Sequence, residues 1–275
     1  MYKMIVCDLD ETLLNDAGKL TDENIAAIKA ATAKGVKFVA NSGRGYTSFQ
    51  DTLSAVDLKD KAEQYAISFN GGLILENKDN RAIAINEMPF DIAEKIFDVA
   101  SADPIASTHV YTKESCYIYH LSDEDAKYLE SRSVKYEIME DDNFDRFKDD
   151  NVMKIIMQLP TMDQRKQMQK DVEKVVPADK LAVTYSSGMY VEINPGGVDK
   201  GTATVQLGDI LGIKPEEIIA IGDNGNDLAM LNAVGMPVGV ANSIDEVKKA
   251  VKYITKADNN NSAVAETIKK FILEA

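Results

Sequence analysis

The residues Met4-Ile5-Val6-Cys7 form an apolar run too short for a helix, and it ends directly in Asp8-Leu9-Asp10. Read as a strand, it aims Asp8 and Asp10 to the same side, because side chains alternate with a period of two. Two carboxylates about 4 Å apart repel by roughly 4 kcal/mol at an effective dielectric of about 20. A cation relieves that repulsion, and magnesium is the hard, oxygen-seeking choice for a few carboxylates and a phosphate. On these residues alone, a strand running into a solvated acidic turn is the alternative.

The rest of the chain repeats the pattern of an apolar strand closed by polar residues. Thr21-Asp22-Glu23 caps a predicted helix with Ile25 and Ile28 on one face, and Gly35 ends it. The strand Val36 to Ala40 then runs into Asn41-Ser42-Gly43-Arg44. A helix carrying Tyr46, Phe49 and Leu53 leads to the strand Tyr65 to Phe69 and a turn at Asn70-Gly71-Gly72. Strand, helix, strand in this order predicts a parallel sheet with right-handed crossovers.

From about Arg81 the texture changes. A helix from Asp91 to Ala100 precedes two alternating strands, Thr108 to Thr112 and Cys116 to Leu121, expected to pair antiparallel. A helix from Asp123 to Arg132 and an acidic loop from Glu140 to Asp150 follow; the run of like charge predicts a solvated surface. Val152 to Leu159, Leu181 to Ser186 and Met189 to Ile193 read as strands, and Met162 to Val176 as a helix. The opening alternation returns with the helix Lys200 to Leu211, the strand Ile218 to Ile221, the helix Asn226 to Val234 and the strand Val238 to Val240. The expected class is α/β: a Rossmann-like parallel-sheet core, residues 1–82 and 189–275, interrupted by an inserted α+β domain, residues 83–188.

Composition narrows the partners. A net charge of −14 over 275 residues argues against nucleic acid and against an anionic membrane, which are bound through clustered Lys and Arg. The two cysteines, Cys7 and Cys116, form no disulfide framework, and no signal peptide or membrane-length apolar run is evident. A reducing, cytoplasmic setting is expected.

In open parallel sheets ligands sit beyond the carboxyl ends of the strands. The polar residues at those ends are Asp8 and Asp10; Ser42 and Gly43; Asn70; and Asp223, Asn226 and Asp227, while Lys200 opens a helix of the returning core. Such a set suits phosphoryl transfer. A metal held by Asp8, Asp10 and Asp223 offsets the repulsion between an attacking carboxylate and a phosphate dianion, and Lys200 adds a positive charge. Ser42 and the amides of Gly43 and around Leu9 and Asn226 can hold phosphate oxygens. Asp8 is the candidate nucleophile and Asp10 the candidate acid and base.

The pieces Asp8-Leu9-Asp10-Glu11-Thr12, Ser42-Gly43-Arg44, Lys200-Gly201 and Gly222-Asp223 to Asn226-Asp227 resemble the four motifs of the haloacid-dehalogenase (HAD) superfamily of aspartate-nucleophile phosphatases. Their order and the long insertion most resemble the Cof-like subfamily, in which an α/β cap occupies that position. The resemblance implies that Asp8 becomes an aspartyl-phosphate and that Asp10 is the acid/base, its backbone carbonyl touching the metal. It also implies that Ser42 and Lys200 anchor phosphate, and that Asp223 binds Mg2+ with Asp227 supporting it. The implied partner is a small phosphorylated metabolite, such as a sugar phosphate or a phosphorylated cofactor; Arg44, which could instead pair with a surface acid, and Tyr185, at the returning edge of the insertion, are candidate contacts by position alone. A phosphomutase using the same aspartyl-phosphate and a phosphoaccepting signalling protein are the alternatives.

Three positions depart from the family pattern: Glu11 and Ser262 stand where glycine is usual, and Ser42 replaces a commoner threonine. None removes a group that the mechanism needs. Cys7, adjacent to Asp8 on a strand, is expected to point the other way as a small buried hydrophobe, and His109 and His120 are expected to be structural.

Overall fold

The computed structural model describes residues 1–132 and 134–274. The first part of the chain forms β1 (Met4–Cys7), α1 (Asp22–Ala33), β2 (Lys37–Asn41), α2 (Gln50–Ala55), β3 (Tyr65–Ser68), β4 (Leu73–Glu76) and β5 (Arg81–Ile85). The middle gives α3 (Phe90–Ser101), β6 (Ser107–Thr112), β7 (Cys116–Tyr119), α4 (Asp123–Ser131), β8 (Glu137–Ile138), β9 (Val152–Gln158), α5 (Met162–Glu173), β10 (Leu181–Ser186) and β11 (Tyr190–Pro195). The last part supplies α6 (Lys200–Leu211), β12 (Ile218–Gly222), α7 (Leu228–Asn232), β13 (Met236–Gly239), α8 (Asp245–Ala250), β14 (Tyr253–Ile254) and α9 (Ala263–Ile268).

Two compact units result. One comprises residues 1–84 and the chain from Asp199 onward; the other is residues 85–198. The first is built on the sheet β14-β13-β12-β1-β2-β3-β4-β5, parallel from β14 to β3 and antiparallel between β3 and β4. β1 lies at its centre, because the chain winds out through β2 and β3 and later returns on the other side through β12, β13 and β14. Burial on both faces explains why β1 and β12 read as unbroken apolar runs. Met4, Val6, Val39, Ile218 and Ala220 pack in one core cluster with Ala203 and Leu207 of α6.

Helix α1 starts where predicted. The Thr21 hydroxyl accepts from the Asn24 amide at 3.3 Å. Asn24, Ala27, Ile28 and Ala31 form its buried face. Asn24 is buried because it is fully used, donating to the Leu13 carbonyl at 3.2 Å and accepting from the Ala265 amide at 2.8 Å.

The second unit is the sheet β10-β11-β9-β6-β7-β8, antiparallel except for the short β7–β8 pair. Val110, Ile155, Met157, Val191 and Ile193 pack with Ala93, Ile96, Phe97 and Ala100 of α3 and Met168 and Val172 of α5. The expected antiparallel pairing of the strands near Thr108 and Cys116 is present as β6–β7.

The expected boundaries are corrected at both ends. Closing the insertion at residue 188 would cut a hairpin at its turn: Ser186 pairs with Tyr190, and Ser187 and Gly188 both have positive φ. Strand β11 completes the second sheet, so the insertion runs to residue 198 rather than handing Met189–Ile193 to the core. At the other end, β4 and β5 extend the core sheet to residue 84. The predicted helix from Asn226 is a tight turn, Gly225–Asp227, followed by α7.

Candidate active site

The register of the core sheet sets the site. Cys7 pairs with Ala40 of β2 and with Ile221 of β12, so Asp8, the residues after Asn41 and the residues after Gly222 leave the sheet level with one another. The Asp8 amide still donates to the Ile221 carbonyl at 2.9 Å, which fixes the residue as the strand ends. Its side chain is nearly buried. The strand order reverses at β1, the place where open α/β sheets leave a crevice.

Lys200 is the first residue of α6. The helix begins there because Asp199 caps it: the Asp199 carboxylate accepts from the amides of Gly201 and Thr202, each at 2.7 Å. The Lys200 side chain is wholly buried, and its Nζ donates to Asp8 Oδ1 and, at 2.7 Å, to Asp227 Oδ1. The second Asp227 oxygen accepts from the amides of Asp223 and Asn224 at 3.0 and 3.1 Å. Gly222 makes this possible, since a Cβ there would lie 2.6 Å from Cβ and Cγ of Asp227. Thr12 Oγ1 donates to Asp223 Oδ1 at 2.5 Å.

Asp8, Asp223 and Asp227 each present an oxygen, and these atoms lie within 4.8 Å of one another. Three buried carboxylates against one ammonium leave excess negative charge in a low-dielectric site. Burial pushes the Asp8 carboxyl well above the usual range, aided by Asp227 and Asp223 and opposed by Lys200. Burial likewise pushes Asp223 up to about 6; the charges of Asp227 and Glu11 add to this, and the Thr12 hydrogen bond opposes it. Burial alone would depress the Lys200 ammonium, but Asp227 and Asp8 outweigh it and hold the group above the ordinary lysine range. An all-oxygen, excess-negative set of this kind fits a hard divalent cation such as Mg2+.

Asp10 and Arg44 form a second group. The Asp10 carboxylate is half-exposed and held in a fork by Arg44: Nε donates to Oδ2 at 2.8 Å and Nη2 to Oδ1. Of the metal set expected from sequence, Asp8 and Asp223 lie in the carboxylate cluster, whereas the Asp10 carboxylate is paired with Arg44. Asp227, expected to support Asp223, lies within the same cluster. Ser42 is buried, and its Oγ accepts from the Arg44 amide at 3.1 Å. Gly43 packs tightly on Asn70, whose Oδ1 is 3.0 Å from where a Cβ would stand. Leu9 is buried at the start of the Leu9–Leu13 turn, and Asn226 is exposed in the turn beside Asp227. Tyr185 belongs to the second unit, where its hydroxyl donates to Gln169 of α5.

Glu11 takes the left-handed conformation (φ 59°), which accounts for the glycine usual at that position in the family it resembles. The strain is of order 1 kcal/mol. Asn242 Nδ2 supports the turn by donating to the Glu11 carbonyl at 2.7 Å. Three structural contributors carry no role in the sequence reading: Thr12, Asn242, and Asn41, whose amide donates to the Lys200 carbonyl at 3.1 Å. Thr12 had a signal in its place in the first motif, and Asn41 in its place among the polar residues closing the second strand. Cys7 Sγ donates to the Asp8 carbonyl at 3.1 Å, and burial pushes its thiol up, in keeping with an inert residue.

A carboxylate–lysine cluster at the reversal point of a parallel sheet, in a chain with an inserted α+β unit, places the protein among the Rossmann-like α/β proteins. The chain belongs to the haloacid dehalogenase-like hydrolase family, whose sequence model matches residues 5–268. It is 32% identical to the Streptococcus pyogenes protein M6_Spy0533, provisionally named a phosphatase, over 98% of both chains. It is 28% identical, over 94% of each chain, to the 5-amino-6-(5-phospho-D-ribitylamino)uracil phosphatase YwtE of Bacillus subtilis. A crystal structure of a haloacid dehalogenase-like hydrolase from Bacteroides thetaiotaomicron superposes with a TM-score of 0.86 at 26% identity, covering 99% of this chain and 100% of that one.

Proposed function

We propose that this chain hydrolyses the phosphoric monoester of a small metabolite, a sugar phosphate or a phosphorylated cofactor precursor, with Asp8 as nucleophile and Asp10 as acid and base. The reaction class is that of the family: a magnesium-dependent phosphoric monoester hydrolase working through an aspartyl-phosphate. The single observation that carries the residue assignment is Lys200, wholly buried and bonded to both Asp8 and Asp227 beside Asp223.

An Asp8 oxygen attacks phosphorus as the ester oxygen departs with a proton from Asp10. Water, giving its proton to Asp10, then cleaves the aspartyl-phosphate, releasing inorganic phosphate and restoring the Asp8 carboxylate and the protonated Asp10. Lys200 orients Asp8 and shares the charge of the phosphate oxygens, with Ser42 and the Gly43 amide as further phosphate contacts. Mg2+, held by Asp8 and Asp223 with Asp227 adjacent, would supply the positive charge that lets a carboxylate approach a phosphate dianion. The 28%-identical YwtE, by its name a phosphatase of a phosphorylated ribitylamino-uracil, supports a small phosphorylated metabolite as the substrate class.

The test is phosphate release from a panel of phosphorylated metabolites with Mg2+, using Asp8→Asn as control. Wild type is expected to release phosphate, and Asp8→Asn to release none while keeping its melting transition. Unchanged turnover in the variant sinks the nucleophile assignment. An isomerised sugar phosphate without free phosphate would identify a mutase instead.

A further inference from the structure

The proposed chemistry requires Asp10 to turn an oxygen toward the departing ester oxygen, yet Arg44 occupies both of its oxygens. The two residues differ in how they are held. Arg44 stands on a fixed post just beyond β2: its amide donates to Ser42 Oγ at 3.1 Å, and its carbonyl accepts from the Phe69 amide at 3.1 Å and Ser68 Oγ at 2.7 Å. Gly43, next to it, is packed on Asn70. Asp10 instead sits at a non-helical residue of the Leu9–Leu13 turn, beside the left-handed Glu11.

Exposure decides what the pair can do. The Asp10 and Arg44 side chains are 48% and 36% exposed, and ion pairs this accessible contribute at most about 1 kcal/mol. Such a pair orients without locking: a bidentate guanidinium fixes the carboxylate plane, and the contact opens at little expense when another acceptor or donor arrives.

We propose that Arg44 is a positioning residue for Asp10, its guanidinium holding the carboxylate at the edge of the site, in the rotamer from which one oxygen swings to the departing ester oxygen. The inference rests on the hydrolase reading of the preceding subsection and adds to it a role for Arg44 that acts through Asp10 and not through contact with substrate. Ser42, which bonds the Arg44 amide, ties this post to the proposed phosphate-binding loop.

The test compares kcat/KM for p-nitrophenyl phosphate and phenyl phosphate with Mg2+ in wild type, Arg44→Gln, Arg44→Lys, Asp10→Asn and the Arg44→Gln/Asp10→Asn double variant. The nitrophenolate leaves without much help from an acid, whereas phenolate, with a conjugate acid of pKa about 10, needs it. Arg44→Gln is expected to raise the nitrophenyl-to-phenyl ratio about tenfold, part of the 10²–10⁴-fold that a positioned acid contributes. Arg44→Lys, which keeps the charge but not the fork, shifts the ratio in the same direction. The double variant is expected to be no worse than Asp10→Asn alone.

An equal loss on both esters in Arg44→Gln and Arg44→Lys overturns the proposal, as it would mean substrate binding or folding. A further loss in the Asp10→Asn background also overturns it. A wild type that hydrolyses neither ester nor any metabolite of the panel overturns the hydrolase reading, and this inference with it.

Discussion

Lys200 Nζ donates to Asp227 Oδ1 at 2.7 Å, and neither side chain has any exposed surface. A buried ion pair of this kind is stable only while both partners are present, because either charge alone would be stranded in low dielectric. Asp227 is bound on its far side by two backbone amides and cannot turn to water.

Lys200→Ala is therefore expected to destabilise the protein by about 3–5 kcal/mol, the usual effect of breaking a buried pair from one side. It is also expected to remove turnover. Urea unfolding monitored by circular dichroism, alongside phosphate release, checks both. A variant as stable as wild type would mean that Asp227 and Asp8 are not held in the buried positions described.

The carboxylate cluster predicts a stabilising response to magnesium. Mg2+ binds the folded cluster and not the unfolded chain, so at about 100 times its dissociation constant it adds about 2.7 kcal/mol. Melting in EDTA against Mg2+ titrations should show a rising transition in wild type and a much smaller rise in Asp223→Asn. Chelation should abolish phosphate release, and added Mg2+ should restore it. An equal thermal response in the two proteins would place the ion elsewhere.

The second unit carries its own titration. Asp125 of α4 is buried and accepts from Ser107 Oγ at 2.5 Å, His109 Nε2 at 2.6 Å and Tyr190 OH at 2.6 Å. Burial by itself would raise this carboxyl, but the hydrogen bond and charge of His109, with the Ser107 and Tyr190 hydrogen bonds, outweigh it and hold the group below the ordinary range. A depressed folded-state value means that the folded protein binds the proton less readily than the unfolded chain. Its stabilisation is complete above the unfolded aspartate value, near 3.9, and is lost as pH falls through the folded one. Asp125→Asn should cost about 2 kcal/mol at pH 6, and the gap to wild type should shrink as pH falls toward 3 in paired denaturation curves. A gap independent of pH would refute the account.

The site was legible where it depended on strand ends. An apolar run closed by a polar residue reveals where a parallel strand stops, and that grouped Asp8, Ser42 and Asp223; the helix expected to open at Lys200 does so, and the Asp199 cap behind it emerges only from the structure. Side-chain direction beyond the strand was not legible. Asp10 shares the strand parity of Asp8, yet the Leu9–Leu13 turn breaks that parity, and its carboxylate meets Arg44, 34 residues away.

Asp125 was hidden for a different reason. In Asp123-Glu124-Asp125 it looks like one of a solvated acidic series, and only the packing of α4 on His109, Ser107 and Tyr190 distinguishes it. The insertion boundary was missed because local composition marks the Ser187-Gly188 turn but not which sheet receives the strand after it. Strands β4 and β5 were passed over for the same reason: their sheet is fixed by long-range pairing.

The central position of β1 has a consequence for synthesis. Its neighbour on one side, β2, leaves the ribosome almost at once, but its neighbour on the other, β12, begins only at Ile218. Residues 85–198, a contiguous unit with its own core, are complete before then. Domains fold as units during synthesis, so the inserted unit can be folded while β1 still has an unpaired edge and Asp8 lacks Lys200. Strand β1 is thus among the last to be enclosed, and the site stays incomplete until Lys200 and Asp223 have emerged.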